Sequence, residues 1–359
     1  MIKVAVLGAT GIVGQQFIAA LNGHPWFQIK KLLTSARSAG KKYGEALRNV
    51  QTGALEWFCD SSLTGSVADM VTQDSSGFDP SSVDLIFSAL ESDQARSLEP
   101  SYAEHTPIVS TASAFRYEQD VPILIPSVNN EHLQALSVQQ ERRKWRGFIV
   151  PIPNCTTTGL AISLKPLHDD YTVEAVVMTS MQAVSGAGRS SGILALDITD
   201  NIIPFIPGEE EKVERETCKI LGNFQDTFSP AEIGISCTCT RVDVREGHTE
   251  AVYVKTREKC SVEDAKGSMR RFSRSLADSG LPSAPSELLL VLDDPYRPQP
   301  RLDRDTNGGM TTVVGRLRDD KVLGGLKYVL VSHNTKMGAA KGAVLVAELL
   351  RREGWLKGR

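Results

Sequence analysis

A short apolar run, Ile2 to Leu7, ends directly in Gly8-Ala9-Thr10-Gly11-Ile12-Val13-Gly14, and an amphipathic stretch continues from Ile12 to Leu21. Strand, tight turn and helix in that order are the opening of a βαβ unit. Further short apolar runs at Gln28 to Leu33, Val83 to Leu90 and Pro107 to Ser110 are each followed by a polar or helical segment. Alternation of this kind predicts a parallel, doubly wound sheet with a crevice at the carboxyl ends of its strands. SARSAGKKYGE and QDSSGFDPSS, rich in Gly, Ser and charge, read as loops.

Glycines at the first turn let a backbone approach a pyrophosphate, which then sits at the positive end of the helix. The spacing here is G-x-x-G-x-x-G rather than the stricter G-x-G-x-x-G, so it also suits a purely structural turn. The end of the second strand discriminates. An acidic residue that would bind the ribose of NAD is absent, and Thr34-Ser35-Ala36-Arg37-Ser38 stands there instead. Hydroxyls and a guanidinium can hold a 2′-phosphate, which a carboxylate would repel, so the cofactor expected is NADP.

With 359 residues the chain exceeds what one hydrophobic core usually supports, and two domains are expected. Forty basic residues nearly balance forty-three acidic ones, leaving no field that would recruit nucleic acid or an anionic membrane. Arg142-Arg143-Lys144-Trp145-Arg146 then reads as a solvated helix face. No apolar run approaches the length of a membrane span, and MIKVAVLGAT lacks the features of a secretion signal, so the expected location is cytoplasmic. The six cysteines are expected to be free thiols there, with Cys237 and Cys239 packing on one strand face and no metal site.

After about residue 150 the character changes. Asp169 to Ala183, Ile233 to Val244 and Glu250 to Lys255 run apolar or alternate, with many β-branched residues, and predict long strands of a mostly antiparallel sheet. A final helix over Lys336 to Arg351, with small residues in GAAKGA, is expected to return to the first domain. The fold expected is therefore an N-terminal Rossmann-like doubly wound sheet, residues 1–152 with 335–359, and an α+β domain with a mostly antiparallel sheet, residues 153–334. Pro153-Asn154-Cys155-Thr156-Thr157-Thr158-Gly159 precedes the apolar helical run LAISLKPL and sets Cys155 near a helix N-terminus, where the helix field favours thiolate. A packing role for the thiol is the alternative.

Taken together, GATGIVG, TSARSAGK, SAFRYEQDVPILIPSVN, PNCTTTG, MQAVSGAGRSSG, EEEKVERET, RVDVREGH, GGMTTVVGR and SHNTKMGAAKGA resemble the aspartate-semialdehyde dehydrogenase family in its archaeal and fungal branch, essentially end to end. The resemblance implies a cysteine that attacks the aldehyde to give a thiohemiacetal, hydride transfer to NADP, and a thioester that phosphate cleaves to an acyl phosphate. It places Cys155 as nucleophile, His248 as general base and Gln182 as the residue that orients the thioester. Histidine suits the second role because its ordinary pKa lets it gain and lose a proton within a turnover. Arg241, seven residues before His248, matches the arginine that grips the substrate carboxylate. Glu209 and Lys212 match the family's E-x-x-K, on the ammonium and near the phosphate, although the run Glu209-Glu210-Glu211 leaves that register open by one. Read without the resemblance, the run is a solvated helix start. Arg116 and Asn154 match further phosphate ligands. Cofactor contacts implied by motif are Gly8, Thr10, Gly11, Ile12, Val13, Ser35, Arg37 and Ser38, with Ser185, Gly186, Gly188 and Asn334 bordering the nicotinamide.

What the resemblance implies is the NADP-dependent interconversion of L-aspartate-4-semialdehyde and L-4-aspartyl phosphate, serving lysine, threonine, methionine and isoleucine synthesis, in a homodimer or homotetramer. The rivals are malonyl-CoA reductase of the same fold and a non-catalytic NADP-binding sensor.

Overall fold

The computed structural model describes residues 1–188 and 193–358, so Arg189 to Gly192, the end of MQAVSGAGRSSG, lie outside the described residues. The chain divides into two compact units, the first comprising Met1–Pro122, Gln134–Ile152 and the chain from Ala343 onward, the second Ile123–Leu133 and Pro153–Gly342.

The first unit is built on six parallel strands: β1 (Ile2–Leu7), β2 (Phe27–Thr34), β3 (Gln73–Asp74), β4 (Leu85–Ser88), β5 (Ile108–Ser110) and β6 (Ile149–Pro151). Their spatial order is β3-β2-β1-β4-β5-β6. The order reverses between β1 and β4, and a doubly wound sheet opens its ligand crevice at such a switch point. Strands covered on both faces read as unbroken apolar runs, and Val4, Val6, Leu7, Leu32, Leu33, Leu85, Ile86 and Phe87 are all fully buried. Helix α1 (Ile12–Leu21) buries Phe17, Ile18 and Leu21; α2 (Ser92–Ala103) and α3 (Ala135–Arg143) also belong to this unit. The strand expected over Val83 to Leu90 shortens to β4. Just before it Asp84 meets Lys3 of β1 twice, its N–H donating to the Lys3 oxygen and its side chain accepting from the Lys3 N–H, both at 2.8 Å.

In the second unit a mixed sheet of seven strands runs β13-β14-β15-β12-β7-β11-β8. Its members are β7 (Val173–Gln182), β8 (Ile202–Ile203), β11 (Gly234–Val242), β12 (His248–Thr256), β13 (Leu289–Val291), β14 (Thr312–Asp320) and β15 (Gly325–Ser332). β9 (Asn223–Gln225) and β10 (Thr227–Ser229) form a separate hairpin. Pairing is antiparallel as expected, except that β7 with β11 and β13 with β14 run parallel. Helix α4 (Cys155–Tyr171) is buried on nearly every side from Thr156 to Leu167, as a helix must be when it has neighbours all round. It packs against β7, β12 and β15 of the sheet and against α5 (Glu209–Ile220) and α6 (Val262–Ser273).

Two expected boundaries moved. Asp169, Asp170 and Tyr171 finish α4 rather than begin β7; Lys165 and Asp169 pair at 2.8 Å one helical turn apart, and Thr172 makes the exit with φ of 50°. The final helix begins as a π-turn over Lys336–Ala340, in which Ala339 departs from helical geometry, and becomes α-helical only over Lys341–Arg352. Among the described residues, no helix is long and apolar enough to cross a membrane.

Candidate functional site

In the first unit, β1 delivers its carboxyl end to Gly8, whose φ of +78° brings a would-be Cβ within 2.8 Å of the Ala89 carbonyl oxygen. A Cβ on Gly14 would lie 2.2 Å from the Gly8 oxygen. Both positions are closed to any larger residue by the protein itself. Gly11 is different: it is exposed, and a Cβ there would meet only the Gly8 oxygen at an ordinary 3.5 Å. Its glycine leaves space toward the outside of the turn, where a ligand would approach. The first bond of α1 runs from Gln15 N–H to the Gly11 oxygen at 2.9 Å, so the N–H groups of Ile12, Val13 and Gly14 have no acceptor within the helix. No side chain caps this end and no acidic residue occupies its first turn. Such a terminus suits a pyrophosphate.

Behind the turn, buried Tyr43 donates its hydroxyl to the Ala9 oxygen at 2.7 Å. Gln15 donates to the Thr10 oxygen at 3.1 Å. Thr10, Ile12 and Val13 are half-buried on the turn. Ser35 and Arg37 are exposed in the turn after β2, and half-buried Ser38 closes it with a hydrogen bond to the Ser35 oxygen at 3.0 Å. The donor set fits NADP: backbone N–H groups for the diphosphate, then hydroxyls and a guanidinium with no carboxylate for the 2′-phosphate. Arg116 is also in this unit, nearly buried, donating to the Thr111 oxygen at 2.9 Å.

In the second unit, Asn154 is the N-cap of α4. Its Oδ1 accepts from the N–H groups of Thr156 at 2.8 Å and Thr157 at 3.2 Å. Cys155 is thereby held at the first helical position, half-buried, with its sulfur in the positive field of the helix terminus. Sγ lies 3.2 Å from Nε2 of His248, the first residue of β12. His248 is fully buried, and its Nδ1 accepts from the Ala183 N–H at 3.1 Å. Burial first, then the charges of Arg241 and His333, push its pKa down to about 3, so the ring is neutral.

Arg241, the last but one residue of β11, pairs with Gln182 of β7 and donates to the Ala183 oxygen at 2.9 Å and to Gln182 Oε1 at 3.4 Å. Burial lowers its pKa while negative charge at Cys155 and Glu209 opposes that shift. A Cβ on Gly186 would come within 2.9 Å of Arg241 Nη1 and 3.2 Å of His248 Cε1, so the turn after β7 lies on both side chains. Asn334 is tied to the same turn, donating to Ser185 Oγ at 2.9 Å and accepting from the Gly247 N–H at 2.9 Å. Gly188 has φ of +67°, and among the described residues nothing lies within 4 Å of a would-be Cβ.

The acidic helix α5 is not a solvated face. Glu209 accepts from Asn154 Nδ2 at 2.9 Å and Gln182 Nε2 at 3.1 Å, and lies 3.9 Å from half-exposed Lys212. Glu210 and Glu214 accept from the Cys239 and Cys237 N–H groups of β11 at 2.9 and 3.0 Å. The geometry thus separates the run: Glu209 turns to the cysteine site and Glu210 to the strand. Glu216, which sequence reasoning missed, accepts from the Asn154 N–H at 2.6 Å. It stands seven residues after Glu209, and that two-turn spacing was the available signal. Asn154, expected on phosphate, thus has Oδ1 spent on the helix cap and one donor of Nδ2 on Glu209. Cysteine, imidazole, arginine, glutamine and glutamate therefore converge within this unit. Among the described residues, no cluster of three or more His, Cys, Asp or Glu is arranged to hold a metal.

The family model for the NAD-binding domain of semialdehyde dehydrogenases matches residues 3–136, and that for their dimerisation domain matches residues 164–337. An aspartate-semialdehyde dehydrogenase of Methanothermobacter thermautotrophicus is 47% identical, over 98% of this chain and 99% of its own. One from Archaeoglobus fulgidus is 48% identical, over 98% of each. The crystal structure of the aspartate-semialdehyde dehydrogenase of Candida albicans with NADP superposes with a TM-score of 0.87 at 38% identity, covering 99% of this chain and 100% of that one. With identity at this level over its whole length, the chain belongs to the aspartate-semialdehyde dehydrogenase family.

Proposed function

We propose that this chain reduces L-4-aspartyl phosphate to L-aspartate-4-semialdehyde with NADPH, releasing phosphate, through an acyl group carried on Cys155. The observation that carries the reading is the 3.2 Å approach of Cys155 Sγ to His248 Nε2 at the mouth of α4, with Arg241 and Glu209 beside it. The relatives' name supplies the substrate and favours it over malonyl-CoA or a sensor role. The NADP bound in the C. albicans relative supports the cofactor.

In this reading the Sγ thiolate attacks the acyl phosphate carbonyl, and phosphate leaves a thioester on Cys155. NADPH, when bound, supplies the hydride that reduces it. Arg241 presents a planar fork to the substrate carboxylate, and Glu209 an anion to its ammonium. Gln182, held through Nε2 by Glu209 and Ser180, orients the acyl carbonyl. Lys212, Arg116 and the remaining donor of Asn154 serve the phosphate. Gly8, Thr10, Gly11, Ile12, Val13, Ser35, Arg37 and Ser38 hold NADP, with Ser185, Gly186, Gly188 and Asn334 toward the nicotinamide.

The reading extends to cofactor binding by the first unit, chemistry by the second, and self-association through the second unit's sheet. On that sheet Val177, Met181, Ala251 and Tyr253 alternate with buried neighbours and stay partly or largely accessible, which suits a second copy. Six free thiols suit the reducing cytoplasm. The step would serve lysine, threonine, methionine and isoleucine synthesis. The test is absorbance of NADPH on mixing protein, NADP⁺, L-aspartate-4-semialdehyde and phosphate. It should rise, and fall away without phosphate; NADPH oxidation with malonyl-CoA and none of this activity would overturn the reading.

A further inference from the structure

In the first unit an arch of chain, Ser35 to Lys42, joins β2 to buried Tyr43 and is exposed along most of its length. It carries one arginine, two lysines and no acidic residue. The N–H groups of Ser38 and Ala39 share the Ser35 oxygen at 3.0 and 3.2 Å, which closes the first half of the arch. The second half hangs on buried Thr72. The Thr72 hydroxyl donates to the Ser38 oxygen at 2.6 Å, with the Lys41 oxygen at 3.0 Å as a second acceptor. The Thr72 N–H donates to the Lys41 oxygen, and the Thr72 oxygen accepts from the Gly40 N–H, both at 2.9 Å. Thr72 stands directly before β3, whose Gln73 and Asp74 pair with Leu33 and Thr34 at the end of β2. The residue that holds the arch is therefore fixed to the strand from which the arch springs.

The diphosphate turn has other anchors. The Tyr43 hydroxyl ends on the Ala9 oxygen at 2.7 Å and Gln15 Nε2 on the Thr10 oxygen at 3.1 Å, while the Tyr43 N–H donates to the Met70 oxygen at 2.8 Å. We propose that Thr72 is a positioning residue for the preference of NADP over NAD. It fixes the arch in the form that receives the 2′-phosphate, whereas Tyr43 and Gln15 fix the turn that serves the diphosphate of either cofactor. Preference and affinity are thus anchored by different side chains. The proposal rests on the assignment of the 2′-phosphate to Ser35, Arg37 and Ser38, and is independent of the acyl substrate.

Thr72 is buried and acts through the arch rather than on the cofactor. A peptide is planar, so fixing the Ser38 carbonyl also fixes the plane that continues into Ala39. With its N–H on Ser35 and its oxygen on Thr72, Ser38 is held from both sides, next to Arg37. A loop already ordered loses less freedom when a phosphate binds, and that saving reaches only a ligand that carries the phosphate. Threonine suits the task because branching at Cβ restricts its χ1 and so keeps the hydroxyl aimed. Valine has nearly the same shape and no donor, and would leave the Ser38 oxygen without this bond.

Calorimetric titration of the full-length protein with NADP⁺ and with NAD⁺ tests this. Thr72→Val should weaken NADP⁺ about three- to tenfold and NAD⁺ less than about twofold. Thr72→Ser keeps the hydroxyl and should keep most of the preference. Tyr43→Phe removes the bond to Ala9 and should weaken both cofactors alike, leaving their ratio unchanged. Equal losses of the two cofactors in Thr72→Val, or a larger change of ratio in Tyr43→Phe, overturn the proposal. Retained NAD⁺ binding shows that a variant is folded; should Thr72→Val fail that check, Thr72→Ala, which sets no methyl group against the Ser38 oxygen, must show the same split. Arg37→Ala measured alongside separates the two levels. If it discriminates between the cofactors and the Thr72 variants do not, Thr72 alone is dismissed; if it loses both equally, the arch is not the seat of the 2′-phosphate and the proposal falls with it. None of these titrations uses the semialdehyde, so a failed activity assay is a separate result.

Discussion

The buried carboxylate of Glu216 accepts the backbone N–H of Asn154 at 2.6 Å, so the peptide just before the nucleophile is held by a helix sixty-two residues farther along the chain. Glu216→Ala would leave that N–H in a buried site without this acceptor, costing about 1 to 3 kcal/mol and loosening the start of α4. Glu216→Gln keeps an acceptor and should lose much less. Denaturant midpoints and kcat measured side by side check this; equal effects in the two variants would remove Glu216 from the role.

Arg37 is exposed at the end of β2 and is assigned to the 2′-phosphate of NADP. Arg37→Ala should weaken NADP by about 1.5 to 3 kcal/mol and NAD much less, since only NADP carries that group. Titration calorimetry with each cofactor decides, and equal losses would dismiss the assignment.

Arg241→Lys conserves charge but not the planar fork, and it also breaks the hydrogen bond to the Ala183 carbonyl. A loss of about 1.5 to 3 kcal/mol in transition-state stabilisation, ten- to a hundredfold or more in kcat/KM for the semialdehyde, is expected. The KM values for phosphate and NADP should move little. A variant in which only the phosphate KM rises would take Arg241 off the carboxylate.

Glu250 of β12 is fully buried, and among the described residues neither carboxyl oxygen has a hydrogen-bond partner. Burial raises its pKa well above the ordinary carboxylate range, which favours the protonated form in the folded protein where the unfolded chain is already ionised. The folded state then binds the extra proton, and stability falls as pH rises above the unfolded pKa, near 4.5. Glu250→Gln should therefore raise Tm at pH 7 and lose that advantage near pH 4. An equal effect at both pH values would show that ionisation is not the cause.

Much of this was legible because burial on both faces writes itself as unbroken apolar runs: β1, β2 and β5 were bounded nearly correctly from Ile2, Gln28 and Pro107 onward. Boundaries failed where tertiary packing overrides local pattern. Asp169 to Tyr171 look like the approach to a strand, yet the Lys165–Asp169 pair continues α4 through them. The π-turn at Lys336–Ala340 is equally silent in sequence, because it follows from how closely the backbone packs: a Cβ on Gly338 would lie 2.9 Å from Cys155 Cβ. Cys155 and His248 could be named from motif, but the partner that fixes the imidazole is a peptide N–H, which every residue except proline possesses. The glutamates of α5 misled for a related reason. A charge run is ordinarily solvated, and only three-dimensional contact reveals that Glu210 and Glu214 satisfy the amides of β11.

The nearly complete burial of α4 bears on how the enzyme would age. A nucleophile at the end of the innermost helix cannot be displaced by local fraying, since freeing that helix means opening the sheet and the helices around it together. Amide protons from Leu160 to Leu164 should exchange only when the whole second unit unfolds. A preparation that keeps a fast-reacting Cys155 has therefore kept that unit intact, and thiol titration becomes a count of native molecules.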